Sequence, residues 1–234
     1  LVKERSPMSS SAGSAPLLRF EPSGYTPAQV RSYYGDSGSG QIAAASPYLA
    51  DVRSVLDDAQ VWLGEYQVPE RAAIVLDVDD TALSTYTYGA ATDFAGWHDV
   101  HPFAKYVMSC QMQAVAGVPE FAHWAAERGF ALFYLTSRPD QIHQITLQNL
   151  LEQGYAEPAQ LFCKPGTQPF PEYLPALVEG TSSHSTVAFK TATRAHLQAQ
   201  GYDVIANIGD QQSDLEGAYA RRTFKLPNRM YLLP

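Results

Sequence analysis

A chain of 234 residues, 45% hydrophobic and 17% charged, has a globular balance that excludes disordered, collagenous and coiled-coil classes. Sixteen Lys+Arg against 24 Asp+Glu leave a net charge of −8, so no chain-wide basic footprint for nucleic acid or anionic membrane is expected. No apolar run approaches the ~20 residues that span a bilayer, and two cysteines, Cys110 and Cys163, are too few for a disulfide framework or a cysteine zinc site. A single bridge between them is left open.

Residues 1–24 are rich in Ser, Pro, Ala and Gly without sustained periodicity and read as a poorly ordered arm ahead of one domain over 25–234. The run from Gly35 to Gly40 lacks the ending of a P-loop and follows no strand, so it reads as a linker. Ser46-Pro47 is an N-cap followed by proline at the first helical position. Leu49, Val52, Leu56, Ala59 and Leu63 then recur at helical spacing, predicting an amphipathic helix to about Tyr66.

From Arg71 the texture alternates. Residues 72–78 predict a central strand, and residues 130–135 a second one after a helix ending in Glu127-Arg128-Gly129. Residues 140–153 predict a helix with Ile142, Ile145 and Leu150 inward and Gly154 as its C-cap. Residues 161–163 predict a third strand, and Val187-Ala188-Phe189 a short buried strand closed by Lys190. Residues 204–208 follow a helix stopped by Gly201, and residues 223–226 form an edge strand. This order predicts an α/β fold, a Rossmann-like α/β/α sandwich around a mostly parallel sheet. Residues 84–117, leaving the first strand, predict a small insertion or partial cap, and 164–185 a second interruption.

Ligands bind such sheets at the carboxyl ends of the strands, and four polar constellations are expected there. The first is Asp77-Val78-Asp79-Asp80-Thr81: along a strand, side chains 77 and 79 share one side while Val78 points away. Two carboxylates so close repel, and a divalent cation or a shared proton relieves them; the plainer reading is an acidic helix cap. An EF-hand is rejected, because its sixth and twelfth positions hold Ala82 and Tyr88. The second is Thr136-Ser137-Arg138, a hydroxyl pair and loop amides suited to phosphoryl oxygens or to an ordinary cap. The third is Lys190, which must meet an anion or reach solvent. The fourth is Gly209-Asp210-Gln211-Gln212-Ser213-Asp214, a tight turn delivering two more acids.

Together these motifs, in this order over residues 33–231, resemble the haloacid dehalogenase superfamily of phosphoryl-transfer enzymes. Residues 76–84, 207–215 and 224–231 are similar to its acid phosphatase branch, subfamily IIIB, which includes plant acid phosphatases, vegetative storage proteins and bacterial class B acid phosphatases. The resemblance implies that Asp77 is the nucleophile, forming an aspartyl-phosphate. It implies that Asp79 protonates the leaving oxygen and then activates water. Thr136, Ser137 and Lys190 would bind the phosphoryl group, with Arg138 in support. The cofactor implied is Mg2+, held by Asp77, the backbone carbonyl of Asp79 and Asp210, with Asp214 supporting. Where the branch has Glu after the second Asp, this chain has Asp80, a shorter acid expected to alter loop hydrogen bonding without removing a reacting group.

The expected activity is a magnesium-dependent phosphomonoesterase with an acidic optimum, acting on a small-molecule phosphate ester; no nucleic-acid polymer and no membrane span are expected, and a homo-oligomer is compatible with the sequence. The branch is largely extracytoplasmic, so an exported protein is implied, its signal peptide absent from a chain that starts at Leu1. Rivals are a non-catalytic storage or binding relative, a phosphotransferase of the same superfamily, a phosphoacceptor signalling domain and a glycosyltransferase. Six aromatics of the insertion, Tyr86, Tyr88, Phe94, Trp97, Phe103 and Tyr106, either wall the site or pack the insertion. His98 and His101 read as partly exposed structural residues rather than a metal pair; the remaining histidines are assigned nothing.

Overall fold

Five strands, four of them buried along most of their length, assemble into the central sheet of the computed structural model, which describes residues 21–95, 100–179, 181 and 183–233. The strands are β2 (Ala72–Leu76), β3 (Ala131–Pro139), β4 (Gln160–Lys164), β5 (Asp203–Gly209) and β6 (Arg222–Lys225). Their order is β4-β3-β2-β5-β6 and every pairing is parallel. All five residues of β2 are buried, as a central strand covered on both faces requires. Ile74 and Leu76 face one core with helices α1 (Pro27–Tyr34), α2 (Pro47–Gly64), α5 (Val118–Glu127) and α6 (His143–Glu152). Ala73 and Val75 face a second, smaller core with Phe189 and Leu197 of helix α7 (Thr186–Ala199). The expected α/β/α sandwich is therefore observed. Because β3 and β4 lie on one side of β2 while β5 and β6 lie on the other, the strand order reverses at β2, which opens a crevice at its carboxyl end.

Four expectations need correction or completion. Val187-Ala188-Phe189 is not a strand: Ser185 caps α7 by accepting the Ala188 amide, and Lys190 lies on the first turns of that helix. Three apolar residues are too short to fix a period, and the cap decides for helix. Second, β3 does not stop at Leu135. It runs through Thr136-Ser137-Arg138 to Pro139, with a register shift against β4 between Thr136 and Pro139, so these residues lie on an irregular strand end rather than a loop. Third, α1 was not anticipated, although Thr26, Pro27 and Gln29 spell its capping box. Finally, the arm expected over 1–24 lies outside the described residues up to residue 20. Glu21–Pro22 forms β1, paired with the C-terminal β7 (Tyr231–Leu232).

The insertion carries α3 (Tyr86–Ala91) and α4 (Val100–Met108). Tyr86 is buried in a stack with Tyr34, 4.5 Å between centroids, and Tyr34 stacks in turn on Tyr48. Tyr88 packs on Phe103 and Tyr106, and Phe94 on Tyr86. These rings mainly anchor the insertion; Trp97 and His98 lie outside the described residues, and His101 is exposed on α4. Cys110 and Cys163 are both free thiols.

Candidate active site

β2 stops at Leu76, short of the expected Val78, because the chain bends at Val78, yet the side chains of 77–79 still alternate. Val78 is buried in the core, whereas Asp77 and Asp79 both line a cavity of about 230 Å3. Around them the cavity gathers Thr136, Ser137 and Arg138 from the end of β3, Lys190 from α7, and Asp210 and Asp214 from the turn after β5. All the predicted site residues are thus brought together. Gly209 is required where it stands, since a Cβ there would collide with the side chain of Asp214.

Lys190 is buried between two carboxylates. Its Nζ donates to Asp77 Oδ1 and, at 2.7 Å, to Asp214 Oδ1. Burial works against the ammonium, but Asp214 and Asp77 hold it charged, above the ordinary lysine value. Asp214 also accepts the Gln211 amide on Oδ2 at 2.8 Å, so both its oxygens are engaged. Asp79 stands apart, its side chain 24% exposed, with Arg138 forked onto it through Nη2 to Oδ1 at 2.8 Å and Nε to Oδ2 at 3.0 Å. Thr136 Oγ1 accepts the Arg138 amide, and Ser137 Oγ donates to Thr186 Oγ1.

Asp80 turns away from the cavity with φ of +57°, a conformation that Asp tolerates better than most residues. It accepts from the amide and hydroxyl of Thr85 and from the Tyr231 hydroxyl, tying the loop to the insertion and to β7. One contributor escaped the sequence reading. Arg194, one turn beyond Lys190 on α7, is fully buried and donates to the carbonyls of Asp214, Glu216 and Ala218. It clamps the acidic turn from beneath without neutralising a carboxylate. No local pattern announces such a contact.

Asp77, Asp210 and Asp214 are buried and can each direct an oxygen to within 4.8 Å of the others. With one ammonium among three carboxylates, the cluster is short of positive charge. Burial and then the charge of Asp214 push Asp77 up to about 8 despite Lys190, and the same causes in the same order raise Asp210 well above the carboxylate range. Burial raises Asp80 to about 6 against its hydrogen bonds. An all-oxygen, over-anionic, buried set fits a hard divalent cation.

The linkage has a definite sign. Asp77 and Asp80 bind protons more tightly in the folded chain than at their ordinary ~4, so their contribution to stability is complete below pH ~4 and is lost as pH rises through about 6 and about 8. Metal-free protein should therefore lose stability across this window, and the gain from a divalent cation bound by the acids should grow over the same range. At a cation concentration a hundredfold over the pH 8 Kd that gain is ~5–10 °C in Tm at pH 8, and at the same concentration it is much smaller at pH 5. Thermal unfolding with Mg2+ or chelator at several pH values tests this; an Mg2+ effect that is equal at pH 5 and pH 8 contradicts it.

Residues 26–234 match the family described as HAD superfamily, subfamily IIIB (Acid phosphatase). Among similar proteins, vegetative storage protein 1 of Arabidopsis thaliana is 26% identical over 89% of this chain and 72% of its own length. The stem 28 kDa glycoprotein of Glycine max is 27% identical over 80% of this chain and 70% of its length. Acid phosphatase 1 of Solanum lycopersicum is 26% identical over 80% and 69%. The class C acid phosphatase from Bacillus anthracis shares the fold, with a TM-score of 0.62, 18% identity and 81% of each chain covered.

Proposed function

The chain belongs to the haloacid dehalogenase superfamily, subfamily IIIB, and on that footing we propose that it is a magnesium-dependent acid phosphatase acting on small phosphate monoesters through an aspartyl-phosphate. At the level of class, the family match supports the sequence reading of a phosphomonoesterase. One observation carries the finer reading: Asp77 lines the cavity in a charge-assisted bond with buried Lys190, beside a second acid, Asp79, oriented by Arg138.

An oxygen of Asp77 attacks phosphorus, and the P–O bond to the leaving group breaks as the leaving oxygen takes a proton from Asp79. Water then attacks the aspartyl-phosphate, gives its proton to Asp79, and inorganic phosphate leaves with Asp77 restored. Lys190, Thr136 and Ser137 bind the non-bridging oxygens. Asp77, Asp210 and the backbone carbonyl of Asp79, with Asp214 in support, would hold Mg2+, which would neutralise the phosphoryl charge. The rate is expected to fall above neutral pH, as membership of an acid phosphatase subfamily implies.

The cavity is smaller than the ~300–1,000 Å3 of sites for drug-sized ligands, which supports a small ester over a polymer. The stem glycoprotein among the similar proteins supports export, and no helix among the described residues is long and apolar enough to cross a membrane. A phosphate-release screen over nucleotides, sugar phosphates, phospholipid headgroups and aryl phosphates, with Mg2+ or with excess chelator, tests the proposal. Full activity in chelator, an optimum above pH 8, or no release from any ester counts against it.

The leaving group faces apolar side chains. Phe103 and Val107, one turn apart on α4, line the cavity with Met108, Pro139, Ile142 and Leu233. Of the insertion's six aromatics, Phe103 is the described one on this wall. Phe103→Ala is expected to raise KM for aryl phosphates about five- to a hundredfold, the ~1–3 kcal/mol of a lost ring stack, and to spare small alkyl phosphates. Uniform loss over all esters with a lower Tm would mean that the ring only packs.

A further inference from the structure

Asp210 is held differently from its neighbours. Asp77 and Asp214 share the Lys190 ammonium, whereas no cation among the described residues pairs with the Asp210 carboxylate. Its Oδ2 accepts two amide donors, Gln211 Nε2 at 2.6 Å and Asn228 Nδ2 at 2.7 Å, and its Oδ1 has a longer bond from the Thr81 hydroxyl at 3.3 Å. Neutral donors orient a carboxylate without consuming its charge. With both on one oxygen, the rotation of the carboxylate is set and Oδ1 is left as the less engaged oxygen.

The two amides are themselves held by the end of the chain. Asn228 Oδ1 accepts the Met230 amide at 2.8 Å, and Gln211 Oε1 accepts the Leu233 amide at 2.9 Å. Each oxygen is thus committed to backbone, which turns each nitrogen toward Asp210. The segment is fixed in place by β1 against β7 and by the Tyr231 hydroxyl on Asp80, while Lys225 Nζ of β6 holds the Asp210 carbonyl at 2.7 Å.

We infer that Asn228 and Gln211 are positioning residues that aim Asp210 at a divalent cation, so that the C-terminal segment 228–233 is a working part of the cation site. This rests on the magnesium reading above. Partners of metal-ligating carboxylates typically contribute ~10–100-fold in metal affinity.

The test uses Asn228→Leu and Gln211→Met in the full chain, two variants that each remove one donor and keep side-chain bulk, so that either one that folds is informative. Thermal unfolding without substrate is followed against Mg2+ concentration, and kcat is measured over the same range. The expected result is a ~10–100-fold rise in the Mg2+ concentration needed for a given gain in Tm, with kcat largely recovered at saturating Mg2+. A concentration within twofold of the wild-type one for the same gain in Tm, in a folded variant, overturns the inference, as does kcat depressed equally at every Mg2+ concentration, the mark of a purely structural role. Absence of any Mg2+-dependent shift in the wild-type protein is a separate result: it removes the magnesium reading, and this inference with it.

Discussion

Asp77→Asn is expected to reduce phosphate release by on the order of 10⁴-fold or more while leaving the protein folded. Asn keeps the shape of the side chain but cannot form an acyl-phosphate. The structure makes the result readable. Asp77 is buried and its carboxyl is pushed up to about 8, so replacing it by a neutral amide relieves charge rather than stranding it. Lys190 retains Asp214 as a partner at 2.7 Å. Metal-free Tm should therefore hold or rise near pH 8 while turnover disappears. Activity within tenfold of wild type, from a preparation cleared of other phosphatases, would sink the assignment of Asp77 as nucleophile.

Lys190→Met is expected to do the reverse to stability and the same to activity. The substitution keeps length and removes the ammonium from between Asp77 and Asp214. Breaking a buried ion pair from one side typically costs ~3–5 kcal/mol, because the surviving charges stay buried without a partner. Here two carboxylates are stranded beside a third, Asp210, so the metal-free variant should unfold well below wild type at pH 8 and recover part of the loss at pH 5, well below the value of about 8 to which Asp77 is pushed. Phosphate release should fall on the order of 10³-fold, through loss of a charge that meets the phosphoryl oxygens. Chemical denaturation at the two pH values and initial rates check this. A variant as stable as wild type at pH 8, with rates within tenfold, would show that Lys190 is neither the counter-charge of the acids nor a phosphoryl ligand.

Much of the site was legible because its acids are close in sequence. Asp77 and Asp79 are two apart, and alternation alone puts them on one side with Val78 opposite, as the cavity lining and the buried valine bear out. Gly209 precedes an acidic turn in which it has no room for a side chain. Lys190 was recognised as a site residue but assigned to the wrong element, since an apolar triplet is equally consistent with a strand and with one face of a helix; the Ser185 cap, a local signal, was there to decide it.

Local order therefore determined the α/β class, the buried central strand and the two acidic turns, all of which are set by periods and turns a few residues long. Tertiary structure alone decided what each acid leans on. Lys190 meets Asp77 across 113 residues, Arg138 meets Asp79 across 59, and Asn228 meets Asp210 across 18. Arg194 reaches the carbonyl of Asp214 across 20. Contacts at such separations impose no period on the chain between them. They exist because the parallel sheet brings β2, β3 and β5 side by side and directs their carboxyl ends into one crevice, where burial makes each partner of a carboxylate consequential.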